Sequence, residues 1–170
     1  MEKAYHITQK RHLSSILSEG LKPPTETGIQ NTYDGITGDG RFVYFDSLRG
    51  ALSYKKMIPE GDVSEQFWNA ESVLLEITLP KDHPVERDFD QILLLYEWYK
   101  ETGDKREFYR RQLKRKFDVE FDMEPTDDNL IRFCAENITD EAWEEKLGTY
   151  RTKAAIPPER IKIIRFEDLV

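Results

Sequence analysis

The chain has 170 residues, 38% of them hydrophobic and 34% charged, with a net charge of -8 and a pI near 5.0. That length suffices for one domain with a core that needs no staples, and an aromatic content of 12% argues against disorder. The acidic balance excludes a general electrostatic grip on nucleic acid, although local basic patches remain able to provide one. Cys134 is the only cysteine, which excludes an internal disulfide framework and fits a reducing compartment. No apolar run approaches the ~18 residues needed to span a bilayer. The opening MEKAYHITQK lacks the apolar core of a signal peptide, so the expectation is a soluble, cytoplasmic protein.

In chain order, the short aromatic-rich stretch Lys3 to Thr8 reads as a strand. It runs into a helix over Gln9–Glu19, where Leu13, Ile16 and Leu17 recur at helical spacing before Gly20, Pro23 and Pro24 stop it. A glycine- and threonine-rich loop follows over residues 25–40. Arg41–Phe45 reads as a second strand, and Asp46 or Ser47 can cap a helix through Tyr54 or Met57. A loop over Ile58–Ala70 leads to SVLLEITL, Ser72–Leu79, the strongest strand pattern in the chain. Near the end, Tyr150–Ala155 and Ile161–Phe166 read as two strands around the Pro157-Pro158 turn.

Between these parts the composition changes. A mostly helical insertion is expected at about 86–147, within a single α+β domain spanning residues 1–170. Phe89, Ile92, Leu93 and Tyr96 form one apolar stripe, and Tyr109, Leu113 and Phe117 another. Lys105, Arg106, Arg110, Arg111, Lys114, Arg115 and Lys116 place seven positive charges within twelve residues, and Asp118 to Glu145 then holds eleven acidic residues and one base, Arg132. Either the two blocks pair with each other, or Arg110, Arg111, Lys114 and Arg115 offer a basic helix to a phosphate backbone.

No zinc-spaced Cys/His cluster, phosphate-binding glycine loop or nucleophile elbow occurs in the sequence. Two constellations are candidates for chemistry, each also open to a structural reading, a satisfied structural histidine at His6 and an aromatic mini-core around Tyr44 and Tyr54. In an alternating strand, Ala4, His6 and Thr8 share one face, which sets a histidine and a threonine on a polar strand end suited to a ligand. At Val43-Tyr44-Phe45-Asp46-Ser47, with Ala51 and Tyr54 beyond, two tyrosines and a small hydroxyl surround one strand-to-helix corner. Such a corner can hold a flat aromatic ring by stacking, at ~1 kcal/mol per pair beyond burial.

Together these motifs resemble the ADP-ribosyltransferase-like proteins. YHITQKRHLSSILSEGLKP is similar to their opening, in which a strand with His-x-Thr precedes a helix closed by Gly-Leu-x-Pro. GRFVYFDSLRGALSY looks like their second motif, and TYRTKAAIPPERIKII like their closing strand, Ile-Pro-Pro turn and last strand. The matches follow the family's order over roughly residues 3–57, 72–79 and 149–166. The opening is nearest to DNA-targeting ADP-ribosyltransferase toxins and tRNA 2′-phosphotransferases, and the middle motif to the ADP-ribosyl polymerase type.

The resemblance implies a split or bent, mostly antiparallel sheet around a cleft for NAD, the ADP-ribose donor. His6 would hydrogen-bond the adenosine ribose, and Thr8 would contact the same half. Tyr44 and Tyr54 would sandwich the nicotinamide, Ser47 would bond its carboxamide, and the loop before Arg41 would border the pocket. The chain departs from the family where a glutamate usually opens the late strand, since that position is Thr149. Glu144 or Glu145 could supply the acid, or Arg151 and Arg41 could act as arginines do in the phosphotransferases. The implied activity is transfer of ADP-ribose to a protein or nucleic-acid acceptor. A non-catalytic module binding NAD or ADP-ribose, and removal of an RNA 2′-phosphate, are the alternatives.

Overall fold

The alternating side-chain directions of an extended Lys3–Gln9 send Ala4 to one side and Tyr5 to the other, and both are buried. This segment is strand β1 of a computed structural model that describes residues 2–28, 40–57, 72–89, 92 and 103–170, with backbone only at 54–57. Helix α1 (Lys10–Glu19) follows directly and buries Ile16. Its last turn closes at Gly20, whose N–H donates to the Ile16 carbonyl at 2.8 Å. Pro24–Thr27 forms one further helical turn, α2, at the start of the expected loop. Strand β2 (Val43–Asp46) leads into α3 (Leu48–Met57), and β3 (Ser72–Thr78) buries Leu74 on one face and Leu75 and Ile77 on the other. The remaining expected loop residues, the 58–70 loop, Leu93 and Tyr96 lie outside the described residues.

Among the described residues, six strands form one antiparallel sheet in the order β4-β5-β2-β1-β3-β6, where β4 is Glu86–Arg87, β5 is Thr149–Thr152 and β6 is Ile161–Ile164. β1 and β3 pair along seven residues, from Lys3↔Thr78 to Gln9↔Ser72. On one face, Ala4, Val43, Phe45, Leu75 and Ile77 pack with Ile16 and Leu21. On the other, Tyr5 and Leu74 pack with Ala51 of α3 and Leu169.

The two strands expected around Pro157-Pro158 are present as β5 and β6, and they do not pair with each other: β5 lies beside β2 and β4, and β6 beside β3. The chain between them crosses the α1 side of the sheet, where Leu21 and Ile156 exchange two backbone hydrogen bonds of 2.8 Å. In addition, the first two residues of the expected insertion, Glu86 and Arg87, are strand β4.

Beyond β4 the insertion is helical in its described residues: α4 (Lys105–Phe117), α5 (Asp127–Asn137) and α6 (Asp140–Lys146). Each begins on a side-chain cap. Asp104 accepts the Arg106 N–H, Thr126 that of Asn129 and Thr139 that of Ala142, and such caps contribute ~1 kcal/mol each. The last turn of α4 carries Lys114, Arg115 and Lys116, while the first turns of α5 and α6 carry Asp127, Asp128, Asp140 and Glu141. Charge thus complements the helix dipoles at every one of these ends. Part of the segregation seen in the sequence is helix-end electrostatics.

The insertion has its own core around Tyr109, Leu113, Phe121, Leu130, Cys134 and Trp143. Trp143 stacks on Phe117 at 5.7 Å and donates from Nε1 to the Thr149 carbonyl at 2.9 Å, which ties α6 to β5. Arg87 closes the end of α5 by donating to the carbonyls of Cys134 and Ile138 and to Asp140. Between α6 and β5 the chain passes through Gly148 at φ 63. The Gly148 carbonyl accepts the Ser47 N–H at 2.7 Å, and a Cβ there would run into the Ser47 hydroxyl and stand 2.9 Å from Gly50 N.

Gly148→Ala is therefore expected to cost about 2 kcal/mol or more, the left-handed backbone contributing ~1–2 of it. The thermal midpoint should fall by roughly 4–8 °C for a chain of this size. An unchanged midpoint would mean that the β2–α3 corner moves away freely.

Candidate functional site

The sheet has a weak seam. β1 meets β2 in one residue pair, Tyr5↔Asp46. Just past it the side chain of His6 replaces the ladder, with Nδ1 2.7 Å from the Tyr44 carbonyl oxygen. A carbonyl can only accept, so Nδ1 carries the hydrogen. Burial holds the His6 ring below its ordinary pKa, partly countered by that bond to the Tyr44 carbonyl, and the ring is neutral near pH 7. Nε2 is left with a lone pair, and no group among the described residues donates to it. It is an acceptor of fixed orientation on a half-buried ring. Thr8, also half-buried, lies two residues on along the same face, opposite Val73.

Strand alternation puts Tyr44 and Asp46 on the other face. The β2–β5 register sets Tyr44 opposite Arg151 and Asp46 opposite Thr149, and Tyr5 flanks Asp46 on the β1 side. Cross-strand neighbours of this kind have Cβ atoms ~5 Å apart. The Arg151 guanidinium lies 4.0 Å from the centre of the Phe42 ring and its Nε 3.3 Å from Glu86 Oε1. Lys153 Nζ lies 5.3 Å from the same ring. Arg41, immediately before Phe42, is exposed.

Asp46 is the residue that sequence reasoning undervalued, having read it only as a helix cap. Ser47 takes that part: its Oγ accepts the Gly50 N–H at 3.3 Å. Asp46 is half-buried and has no hydrogen-bond or ionic partner among the described residues, and burial pushes its carboxyl up to about 8. Gly50 makes room for it, since a Cβ there would stand 2.9 Å from Asp46 Cβ and 3.1 Å from Oδ1. The signal available in the sequence was the alternation in Val-Tyr-Phe-Asp, which sets the tyrosine and the acid on one strand face.

The other expected residues are placed as follows. Ser47 is 2% exposed and its hydroxyl is engaged at the start of α3. Tyr54 lies on α3, and its side chain is outside the described residues. Glu145 is exposed, bound to Lys146 at 2.7 Å, and its carboxyl is held below the usual range by that lysine. Glu144 accepts the Tyr150 hydroxyl at 2.7 Å, and Tyr150 lies opposite Phe45, on the face away from Tyr44. The Thr149 hydroxyl is buried and donates to the Asp88 carbonyl at 3.1 Å. The register therefore brings Tyr44 and Arg151 together, and His6 joins them only through the backbone of Tyr44.

On α4, Lys105, Arg106 and Lys114 pair with Asp127, Glu124, Asp118 and Glu120 of the following segment. Arg110 and Arg111 share Glu107 within the helix, and Arg115 bonds Gln112. Among the described residues no helix is long and apolar enough to cross a membrane. Compared with known proteins, the chain matches no family, no curated protein and no solved structure.

The unpartnered carboxyl has a measurable signature. Folded Asp46 keeps its proton up to a pH of about 8, while the unfolded carboxyl releases it near the ordinary value of about 4. Wild-type stability should then fall, relative to Asp46→Asn, as pH rises through that window, and the two should converge at the acid end. Thermal midpoints of both proteins between pH 4 and 9 would read this, and a constant difference would show that Asp46 is solvated.

Proposed function

We propose that this chain transfers ADP-ribose from NAD to a macromolecular acceptor with release of nicotinamide. The reading is supported by the order of its three sequence motifs and by an antiparallel α+β architecture in which the first two meet at the β1–β2 seam. The observation that carries it is His6. A neutral imidazole whose Nδ1–H is spent on the Tyr44 carbonyl presents Nε2 as a pure acceptor, which suits a sugar hydroxyl and repels a carbonyl or phosphate oxygen. Thr8 adds a hydroxyl on the same face. Tyr44 offers an aromatic ring across the seam, on the opposite face of the sheet from His6, with Tyr54 as its expected partner on α3. Bound there, NAD would supply a cationic leaving group on its glycosyl carbon. The chain's part is to hold the ribose and the ring and to stabilise the charge that develops.

A second reading, removal of an RNA 2′-phosphate in an NAD-dependent reaction, is favoured by one observation. Arg151 and Lys153 converge on the Phe42 ring beside Tyr44, and Arg41 adjoins them in sequence. Arginines there can take a phosphate oxygen in forked geometry. The two readings separate when 2′-phosphorylated RNA is supplied with NAD, since only the second loses the phosphate from the RNA.

For the acceptor, nucleic acid is the class that the surface of α4 favours. Arg110, Arg111 and Arg115 are exposed, and among the described residues their hydrogen bonds and ion pairs go to neighbours on their own helix. Exposed pairs are worth ~0–1 kcal/mol and give way to a phosphate backbone. Replacing Arg110, Arg111, Lys114 and Arg115 with Gln should abolish RNA or DNA binding and flatten its salt dependence, as read by titration at several salt concentrations. A wild type that binds neither polymer at low salt leaves protein as the acceptor.

The donor site is tested by His6→Ala, which should weaken NAD about 5- to 30-fold, the equivalent of ~1–2 kcal/mol for one lost hydrogen bond. Fold stability should be little changed. Calorimetric titration that finds equal affinity in the variant would remove His6 from the site.

A further inference from the structure

We propose that Asp46 is the catalytic acid of this cleft, supplying from β2 the negative charge that Thr149 cannot supply from β5. The inference rests on the NAD-cleaving reading above and names the residue on which that chemistry turns.

Breaking the glycosyl bond of NAD sends the bond's electron pair to the pyridine nitrogen, which leaves as neutral nicotinamide. The ribose carbon is left cationic until a lone pair of the acceptor forms the new bond and the acceptor's proton passes to water. A fixed carboxylate beside that carbon lowers the barrier because the positive charge exists only during the passage. Thr149 has no charge, and its hydroxyl is already donated to the Asp88 carbonyl. Glu145 points to solvent on Lys146, and Glu144 is bound to Tyr150, which belongs to the opposite face.

Asp46 meets each requirement that these three miss. It stands directly across from Thr149, so its carboxyl occupies the neighbouring position on the same face. It shares that face with Tyr44, two residues earlier on the same strand, the ring expected to hold the nicotinamide. It lies at the one residue pair that joins β1 to β2, two residues beyond the Tyr44 carbonyl that His6 holds. No cation or donor among the described residues neutralises it. Gly50 leaves space for its oxygen where any larger residue would crowd it. Without a partner among the described residues, the Asp46 carboxyl keeps its proton up to a pH of about 8, and a cation bound beside it is what favours the charged form.

The test uses the full chain with NAD and with NADH, whose reduced nicotinamide ring is uncharged. Above pH 8, wild type should bind NAD several-fold more tightly than NADH, and Asp46→Asn should bind the two alike by calorimetry. Nicotinamide release from NAD into water should fall ~100-fold or more in kcat in Asp46→Asn, well beyond the several-fold rise in KM that loss of the NAD preference brings. Asp46→Glu should retain part of the activity, and Thr149→Glu should restore part of it in the Asp46→Asn background. Thermal melts confirm that each variant is folded before it is read. Undiminished nicotinamide release in Asp46→Asn, or an unchanged preference for NAD over NADH, overturns the assignment. A wild type that binds NAD but releases no nicotinamide also overturns it, leaving a binding module. A wild type that binds no NAD overturns the nucleotide reading itself.

Discussion

The arrangement depends on how closely two backbones approach at Ser47 and Gly148. A hydrogen bond of 2.7 Å between them leaves no room for a side chain on either glycine of the contact, Gly148 or Gly50. That contact fixes where β2 ends, where α3 begins and where β5 enters the sheet. The same few residues anchor the insertion, because Trp143 of α6 bonds the Thr149 carbonyl and accepts, at its own carbonyl, the N–H of Gly148 at 2.9 Å. One joint thus sets both the face that carries Tyr44, Asp46 and Arg151 and the place of the helical insertion beside it. The Thr149 hydroxyl belongs to this joint as well, which is why it has no freedom to serve a ligand.

The charge distribution has two origins that composition alone cannot separate. Basic residues end α4 and acidic residues begin α5 and α6, in the sense that helix dipoles favour. Three α4 cations then reach acids on the next segment. What these pairs leave over is a short run of arginines held by their own helix, a smaller surface than seven positive charges in a row suggest.

Much of the fold was legible because it is written locally. The short aromatic-rich opening located β1, the apolar run SVLLEITL located β3, and period-3.6 recurrence with a closing glycine located α1, to within a residue or two. The strand-to-helix corner at Val43–Ser47 was equally plain. Pairing was not legible, because it is decided by contacts between distant segments. Nothing near Pro157 announces that β5 and β6 lie on opposite sides of the sheet, since the Leu21–Ile156 bridge that separates them joins segments 135 residues apart (156 − 21). Asp46 went unrecognised for the same reason. Its identity as a cap candidate was local, whereas its isolation depends on Thr149, Tyr5 and Gly50. His6 was found, but for a different cause than the one that counts. It sits in the middle of β1, and what exposes its ring is the end of the pairing with β2, not the end of the strand.

The single Tyr5↔Asp46 pair divides the sheet into two three-stranded leaves, β4-β5-β2 and β1-β3-β6, each well knit within itself. Ladder hydrogen bonds are what protect backbone amides from exchange with solvent water. Amides inside either leaf are therefore shielded by the leaf's own unfolding cost, while those lining the division depend on one pair and one imidazole. Deuterium uptake would trace this line across an otherwise slow-exchanging sheet, and any molecule that bridges the leaves would be recorded there first, as lost uptake along the facing edges of β1 and β2.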